Sequence, residues 1–253
     1  MNLLDLTGRK ALVIGAGGIG AALAAGLAQH GADVAVADRD VASADMAAAG
    51  VRAFGCRTLS RIVDVTDEAS VEALSAELAG SWGGIDILVN AMGVAARTPS
   101  MSVSVDKFRE TIEVNSLGTF ICCRAFAKEM MQRGGGKIVN ISSVRARYGT
   151  PGGMADYCAS KGAVDALTRH LAVEWAPHKI YVNAIAPTVV ETGFTTSILE
   201  DPQAAASLME RIPLGRWAQP QDLVGPVLFF ASPASDYVTG QIMFVDGGLT
   251  AAV

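Results

Sequence analysis

Short runs of apolar, mostly β-branched residues alternate along the chain with longer stretches that mix apolar and polar residues at helical spacing. A short apolar run of this kind is typical of a strand buried on both faces. The pattern predicts seven strands, at Lys10–Ile14, Asp33–Ala37, Arg61–Asp64, Asp86–Asn90, Lys137–Ile141, Tyr181–Ile185 and Ile242–Val245. It predicts helices between them, at Ile19–Gln29, Ala42–Ala49, Glu68–Gly80, Phe108–Arg133, Ala155–Trp175 and Gln221–Ala231.

Continuous apolar strands joined by helices predict a doubly wound α/β fold, in which a parallel sheet of about seven strands has helices on both faces. No repeat, low-complexity tract or change of composition divides residues 1–253, so we expect a single domain. Residues 188–216 fit neither pattern and contain Pro202 and Pro213. We expect this segment to be an insertion over the sheet edge that forms a lid on the substrate site.

The composition excludes several classes of protein. Of the 253 residues, 51% are hydrophobic, which excludes a disordered chain. No apolar run reaches the roughly 18 residues that a membrane span needs, and a net charge of −5 argues against nucleic acid or an anionic membrane as a partner. The polar first ten residues do not resemble a signal peptide, so we expect a cytoplasmic protein.

The histidines and cysteines do not form a recognisable metal site or a histidine-based catalytic triad. The three histidines are scattered along the chain, and the four cysteines include no C-x-x-C pair. We therefore expect reduced cysteines and no bound metal.

A glycine-rich turn follows the first predicted strand and leads into the first predicted helix. It has the G-x-G-x-x-G spacing of Rossmann dinucleotide-binding domains. Glycines allow a tight turn, a close approach of the backbone to a pyrophosphate, and close packing of helix on strand. Amide groups at the helix N-terminus then face the phosphates. The motif predicts cofactor contacts at Gly15, Gly17, Gly18, Ile19 and Gly20.

A carboxylate, Asp38, lies at the end of the second predicted strand, eighteen residues after Gly20. An aspartate at this place accepts hydrogen bonds from the adenosine ribose and repels a 2′-phosphate, so it favours NAD over NADP. The next residue, Arg39, has the opposite effect because a guanidinium can hold a 2′-phosphate. A role for Asp38 in capping a helix is the alternative interpretation.

Tyr157 and Lys161 are four residues apart in a predicted helix, which places the phenol and the ammonium on one face. An isolated tyrosine, with a pKa of about 10, is a poor base at neutral pH. A cation one turn away stabilises the phenolate and so adapts tyrosine to proton transfer. This spacing is a weak signal alone, but a strand ending in Asn140-Ile-Ser-Ser143 and a helix containing Asn115 precede it.

With these features the sequence resembles the short-chain dehydrogenase/reductase family over nearly its whole length. The resemblance rests on the glycine turn and on motifs spread along the chain: Asp64-Val65, Asn90-Ala-Met-Gly93, Asn115, Ser143, Tyr157, Lys161, Pro187 with Thr192, and Val245-Asp-Gly-Gly248.

The resemblance implies that Tyr157 is the general acid/base, that Lys161 lowers its pKa and binds the nicotinamide ribose, and that Ser143 orients the substrate oxygen. Asn115 would hold a water in the proton relay. Ser142 is the alternative serine. Further cofactor contacts implied by the resemblance are Asp64 and Val65 at the adenine, Asn90, Ala91 and Gly93 along the cofactor, and Pro187, Val190 and Thr192 near the carboxamide.

Three positions depart from the family pattern. The glycine turn is one residue shorter than the usual T-G-x-x-x-G-x-G and has Ile14 in place of threonine. Ala91 replaces the second asparagine of the usual N-N-A-G, which normally stabilises the central strand, and Thr188 replaces the glycine that usually follows Pro187. None of these changes removes the predicted acid–base residues.

We therefore expect an oxidoreductase that transfers a hydride between NAD(H) and a small secondary alcohol or ketone. The loops Val94–Val103, Val144–Ala155 and Thr188–Pro213 contain several hydrogen-bonding groups and few aromatic residues, which favours a polyhydroxylated substrate over a steroid. The C-terminal stretch from Leu214 to Gly248 resembles that of sugar, polyol and gluconate dehydrogenases in the family. Three loop arginines are candidate ligands for a substrate carboxylate, and solvated loop arginines are the alternative. These candidates are Arg97, Arg145 and Arg147.

Two other functions stay open. A 3-oxoacyl-carrier-protein reductase would prefer NADPH and present a basic patch to its acidic carrier, which Asp38 and the acidic chain disfavour. A non-catalytic nucleotide-binding protein would be expected to lack Ser143, Tyr157 or Lys161, and all three are present.

The resemblance also implies a homotetramer, because members of the family commonly pair the helices that match Phe108–Arg133 and Ala155–Trp175. These predicted helices carry apolar residues that fit either an interface or the core. They include Phe120, Phe126, Leu167 and Leu171.

Overall fold

The computed structural model describes residues 2–150 and 153–252; positions 151 and 152, in the predicted substrate loop Val144–Ala155, lie outside these ranges. The strands are β1 Lys10–Ile14, β2 Asp33–Asp38, β3 Thr58–Ile62, β4 Ile87–Asn90, β5 Gly136–Ile141, β6 Ile180–Pro187 and β7 Ile242–Val245. They form one parallel sheet in the order β3-β2-β1-β4-β5-β6-β7. The predicted seven-stranded parallel sheet is confirmed.

The helices between the strands are α1 Gly18–Gln29, α2 Val41–Arg52, α3 Glu68–Trp82, α4 Val105–Ile112, α5 Gly118–Arg133, α6 Ala155–Trp175, α7 Thr196–Leu199, α8 Pro202–Met209 and α9 Val224–Ala231. A short π-helical turn, Glu113–Leu117, joins α4 to α5. None of the described helices combines the length and the apolar content that crossing a bilayer requires.

Helices cover both faces of the sheet, as the pattern predicts. Adjacent residues of β1 point to opposite faces: Leu12 belongs to a core cluster with Phe126 of α5, and Val13 belongs to a second cluster with Phe230 of α9. The first cluster contains residues of α3, α5 and α6, and the second contains residues of α1, α2 and α9. Because both faces are covered, β1 consists of continuous apolar residues after Lys10.

The chain reverses its direction of travel across the sheet at β1, which pairs with β2 on one side and with β4 on the other. In a parallel sheet the carboxyl ends of the strands lie at one edge, and a crevice opens where the strand order reverses. The register places Ile14, Asn90 and Asn140 side by side at this edge. The glycine turn, the loop after β4 and the serines after β5 therefore meet there.

Several predicted elements differ from the structure by a few residues at their ends, and three differ more substantially. Strand β3 is Thr58–Ile62 rather than Arg61–Asp64; it is an edge strand with half-buried or exposed side chains, so apolar residues do not mark it. The predicted helix Phe108–Arg133 begins three residues earlier, where Ser104 caps α4, and the π-helical turn interrupts it. The segment 188–216 contains α7 and α8 instead of being irregular throughout.

Candidate active site

A cleft of about 580 Å³ opens along the carboxyl ends of the central strands. Ser143, Tyr157 and Lys161 line it. Most of the residues predicted to contact the cofactor line the same cleft: Gly15, Gly17, Gly18, Ile19, Gly20, Asp38, Arg39, Asp64, Val65, Ala91, Gly93, Pro187, Val190 and Thr192. The structure thus brings the predicted cofactor-binding and proton-transfer residues to one place.

The glycine turn fits closely between its neighbours. Gly15 has a φ of +96°, and a Cβ there would lie 2.5 Å from the backbone nitrogen of Met92. A Cβ on Gly20 would lie 1.7 Å from the carbonyl oxygen of Gly15. A Cβ on Gly17, in contrast, would meet no described atom within 4 Å, because this glycine faces the open cleft. Although the turn is one residue short, its backbone borders the cleft as a pyrophosphate site requires.

The N-terminus of α1 faces this turn without a competing side chain. Among the described residues, no side chain caps α1 and no acidic residue occupies its first turn. Its first amide groups are therefore available to an anion, and the helix dipole adds a partial positive charge. The residues present fit a dinucleotide pyrophosphate.

Two carboxylates, Asp38 and Asp64, and the guanidinium of Arg39 also line the cleft. Asp38 accepts hydrogen bonds from the backbone nitrogens of Ala16, at 2.6 Å, and Asp40, at 2.9 Å. Hydrogen bonds from Thr66 and the nearby Arg39 charge lower the pKa of Asp64. Arg39 therefore acts on the charge of Asp64, and both residues line the cleft together with Asp38.

Tyr157 lies in the first turn of α6 and is only 9% exposed. Burial raises the pKa of its phenol to about 12, while a hydrogen bond with Ser143 and the positive charge of Arg145 act in the opposite direction. The ring of Phe194, from the segment 188–216, packs 6.4 Å from the tyrosine ring between centroids. No sequence motif marks Phe194, and the available signal is that it is the one aromatic residue of the segment 188–216.

Lys161 is buried one helical turn beyond Tyr157, with Nζ 5.8 Å from the centroid of the tyrosine ring. Its Nζ donates a hydrogen bond of 2.8 Å to the carbonyl oxygen of Ile141, the last residue of β5. Burial lowers the pKa of Lys161 to about 8, and the negative charge of Asp165 opposes this effect. The ammonium therefore lies beside the phenol and is held by the end of the strand.

Two predicted site residues lie behind the residues that line the cleft. Asn115, in the π-helical turn, bonds both backbone groups of Val94 and the hydroxyl of Ser160. Its water-holding role stays a prediction. Asn90 is buried in the sheet, where its Nδ2 donates to Asn140 Oδ1 at 2.9 Å. The structure therefore places Asn90 in the support of the cleft and not at its surface.

The three candidate substrate arginines lie outside the described residues that line the cleft. Arg145 is half-buried, and its Nη1 donates to the carbonyl oxygen of Gly149 at 3.2 Å. Burial lowers its pKa, as do the charges of Arg211 and Arg97. Arg147 instead stacks over the ring of Phe244, 5.8 Å from its centroid. Arg97 and Arg211 are therefore close enough to Arg145 to affect its pKa, and no sequence motif marks Arg211. Arg147 lies against Phe244 instead.

A glycine turn at a helix N-terminus and a buried tyrosine–lysine pair in one cleft define a nicotinamide-dependent oxidoreductase that acts on CH–OH groups. The chain belongs to the short-chain dehydrogenase/reductase family. A family model described as enoyl-(acyl carrier protein) reductase matches residues 14–250.

Known relatives match the chain over its full length. Gluconate 5-dehydrogenase of Gluconobacter oxydans is 39% identical over 253 residues, which are 100% of this chain and 98% of the relative. The 5-keto-D-gluconate 5-reductase of Escherichia coli K12 is 36% identical, with 100% and 99% covered. A crystal structure of a gluconate 5-dehydrogenase from Burkholderia cenocepacia, in complex with NADP and tartrate, is 40% identical with a TM-score of 0.95, covering 100% of this chain and 99% of that one.

Proposed function

We propose that the chain is an NAD-dependent dehydrogenase of sugar acids, with Asn115, Ser143, Tyr157 and Lys161 as its catalytic set. The observation that carries this proposal is that Ser143, Tyr157 and Lys161 line the same cleft as the glycine turn. The names of the relatives support the substrate class, since two of them act on gluconate or 5-ketogluconate.

Bound NAD supplies the acceptor for the hydride that leaves the alcohol carbon. The chain's own residues move the proton: the Tyr157 phenolate takes it from the substrate hydroxyl, and the same phenol returns it when a ketone is reduced. Ser143, which lines the cleft together with Tyr157, orients the substrate oxygen. Lys161 favours the phenolate by its charge and is close enough to the cleft to bind a ribose hydroxyl.

The preference for NAD follows from the charges at the adenosine end of the cleft. Asp38, Asp64 and Arg39 all line the cleft, and the charge of Arg39 acts on Asp64. A 2′-phosphate would bring further negative charge to a place that has two carboxylates and one guanidinium. NADP is the alternative cofactor, because the Burkholderia cenocepacia structure is a complex with NADP.

Fluorescence titration with NADH and NADPH tests this preference. We expect tighter binding of NADH. Asp38→Ala removes hydrogen bonds to a charged group, worth about 1.5–3 kcal/mol, so the affinity for NADH should fall about tenfold or more. Arg39→Ala is the matched control and should leave NADH binding close to wild type. Tighter binding of NADPH by the wild type would contradict the assignment.

The position of Arg145 favours a substrate that carries a carboxylate. The guanidinium of Arg145 is half-buried near Tyr157, and the positive charges of Arg97 and Arg211 act on it. An anionic substrate would reduce the repulsion among these three positive charges. We expect a higher kcat/KM for sugar acids than for the corresponding neutral sugars and polyols. Arg145→Gln should reduce this ratio, and Arg147→Gln should not, because Arg147 stacks on Phe244. Equal rates for acids and neutral compounds would contradict the proposal.

A reductase of carrier-linked acyl thioesters is the second candidate, because the matching family model is described as enoyl-(acyl carrier protein) reductase. A net charge of −5 and Asp38 oppose it, since the carrier is acidic and these enzymes prefer NADPH. Reduction of a 3-oxoacyl thioester with NADPH, at a rate above that of any sugar acid, would favour this candidate.

We also propose a homotetramer in the cytoplasm. Phe126 and Leu171 are buried in the core, but Leu117 and Val173, on elements that pack against each other, are 46% and 78% exposed. Exposed apolar side chains on adjacent elements favour an interface, and the four free cysteines favour a reducing compartment. Light scattering should give four times the chain mass of 26.1 kDa. The mass of a monomer would contradict the tetramer.

A further inference from the structure

The end of β5 is tied to one face of α6 by two consecutive residues, Ile141 and Ser142. The carbonyl oxygen of Ile141 accepts a hydrogen bond from Lys161 Nζ at 2.8 Å. The Ser142 hydroxyl donates to Asp165 Oδ1 at 2.5 Å. The next residue, Ser143, lines the cleft together with Tyr157 and acts to lower the pKa of its phenol. The strand end that carries Ser143 therefore has its position fixed against the helix that carries the tyrosine.

Asp165 is the member of this set that the proposed chemistry does not use. It is 8% exposed and lies one helical turn beyond Lys161. Arg169 lies one turn further. At this four-residue spacing, α6 presents a phenol, a cation, an anion and a second cation in sequence along one face. A buried carboxylate is costly unless it is paired, and the partners of Asp165 all belong to the elements that form the site.

We propose that Asp165 is a positioning residue of the acid–base centre, which holds Ser142 by a hydrogen bond and places a negative charge one helical turn from Lys161. Through Ser142 it fixes the strand end and so the direction of Ser143. This inference rests on the proposed function, because it gives Asp165 a role through Lys161 and Ser143.

The charges around the two groups support this assignment. Lys161 meets the Tyr157 phenol and Asp165 on its own helix, and the neutral carbonyl of Ile141 from β5. Asp165 meets Lys161 and Arg169 on its own helix and the neutral hydroxyl of Ser142 from β5. Burial works against the charge of both groups, and each charge favours the other.

The same contact distinguishes the two candidate serines. Ser142 donates its hydroxyl proton to Asp165, so this proton is engaged in holding the strand end. Ser143 Oγ instead accepts from the Arg145 nitrogen at 3.2 Å, donates to the Pro187 carbonyl oxygen at 3.5 Å, and acts to lower the pKa of Tyr157. Ser143 is therefore the serine placed to orient a substrate, and Ser142 is the one that transmits the effect of Asp165.

The test is the pH dependence of kcat/KM for ketone reduction in the wild type, in Asp165→Asn and in Glu174→Gln. Asn keeps the shape of the side chain and an acceptor for Ser142, but it removes the charge. The alkaline limb, where Lys161 loses its proton, should then move to lower pH by about one unit. Glu174→Gln removes an exposed carboxylate from the same helix and should leave the limb in place. An unmoved limb in Asp165→Asn would overturn the charge role.

A second variant separates position from charge and covers the case in which Asp165→Asn does not fold. Ser142→Ala keeps the Asp165 carboxylate but removes its hydrogen bond, so kcat should fall while the alkaline limb stays in place. An unchanged kcat would overturn the positioning role. Tyr157→Phe, measured in the same series, tests the proposed function separately: if it is inactive while the limb of Asp165→Asn is unmoved, only the role of Asp165 fails.

Discussion

The side chain of Asn115 holds the backbone of Val94 by two hydrogen bonds. Its Oδ1 accepts from the Val94 nitrogen at 2.8 Å, and its Nδ2 donates to the Val94 carbonyl oxygen at 2.9 Å. An amide side chain thus provides the pairing that a neighbouring strand would offer. It ties the loop after β4, which includes Gly93 of the cleft, to the π-helical turn.

Asn115→Ala should therefore destabilise the protein and weaken cofactor binding together. The substitution leaves the nitrogen and the carbonyl of Val94 without these partners, at a cost of about 1–3 kcal/mol for each buried group left unpaired. Urea unfolding measures the loss, and NADH titration measures the effect on the loop. Asn115→Asp keeps the acceptor but loses the donor, so its free energy of unfolding should lie between those of the wild type and Asn115→Ala. A free energy of unfolding equal to that of the wild type would contradict this role.

Gly17→Ala should weaken NADH binding without a loss of stability. The new Cβ would have no described protein atom within 4 Å of it, but it would project into the cleft where the pyrophosphate is expected. Gly15→Ala is the contrasting variant, since its φ of +96° and the 2.5 Å approach to Met92 strain the fold itself. Thermal unfolding and NADH titration distinguish the two effects. Wild-type NADH affinity in Gly17→Ala would place the pyrophosphate elsewhere.

Replacing Lys161 should make stability less dependent on pH. Burial lowers the folded-state pKa of Lys161 from 10.5 to about 8, so the unfolded chain binds more protons between these two values. The stability of the wild type therefore rises with pH across this window. Between pH 7 and pH 10 the difference in unfolding free energy, Lys161→Met minus wild type, should fall by about 2–3 kcal/mol. A difference that does not change with pH would show that Lys161 titrates normally.

Periodicity predicts most of the sheet because its central strands are buried on both faces. Strand β1 has the predicted bounds, and β2 differs by one residue. Strand β3 escapes the pattern because it is an edge strand in which Ile62 is 64% exposed. The π-helical turn is not visible in the sequence, because residues 113–117 continue the helical spacing on either side of it.

The motifs likewise predict which residues reach the cleft better than they predict how those residues are held. The glycine turn, Tyr157 and Lys161 are recognisable because their chemistry requires fixed residue types at fixed spacings. The contact of Ser142 with Asp165 joins residues 23 positions apart, and Asn90 meets Asn140 across 50 positions. Such pairs depend on the register of strand against helix, which no local pattern records. The proximity of Arg211 to Arg145 likewise depends on how distant segments of the chain pack together.

The most direct test of this account is the rate of NADH formation from NAD and a panel of sugar acids that includes gluconate. The wild type should turn over at least one of these acids. Tyr157→Phe should lower kcat by about 10²–10⁴-fold, the usual contribution of a general acid/base, while its affinity for NADH stays near wild type. Substantial turnover by Tyr157→Phe, or no oxidation of any sugar acid by the wild type with NAD or NADP, would contradict it.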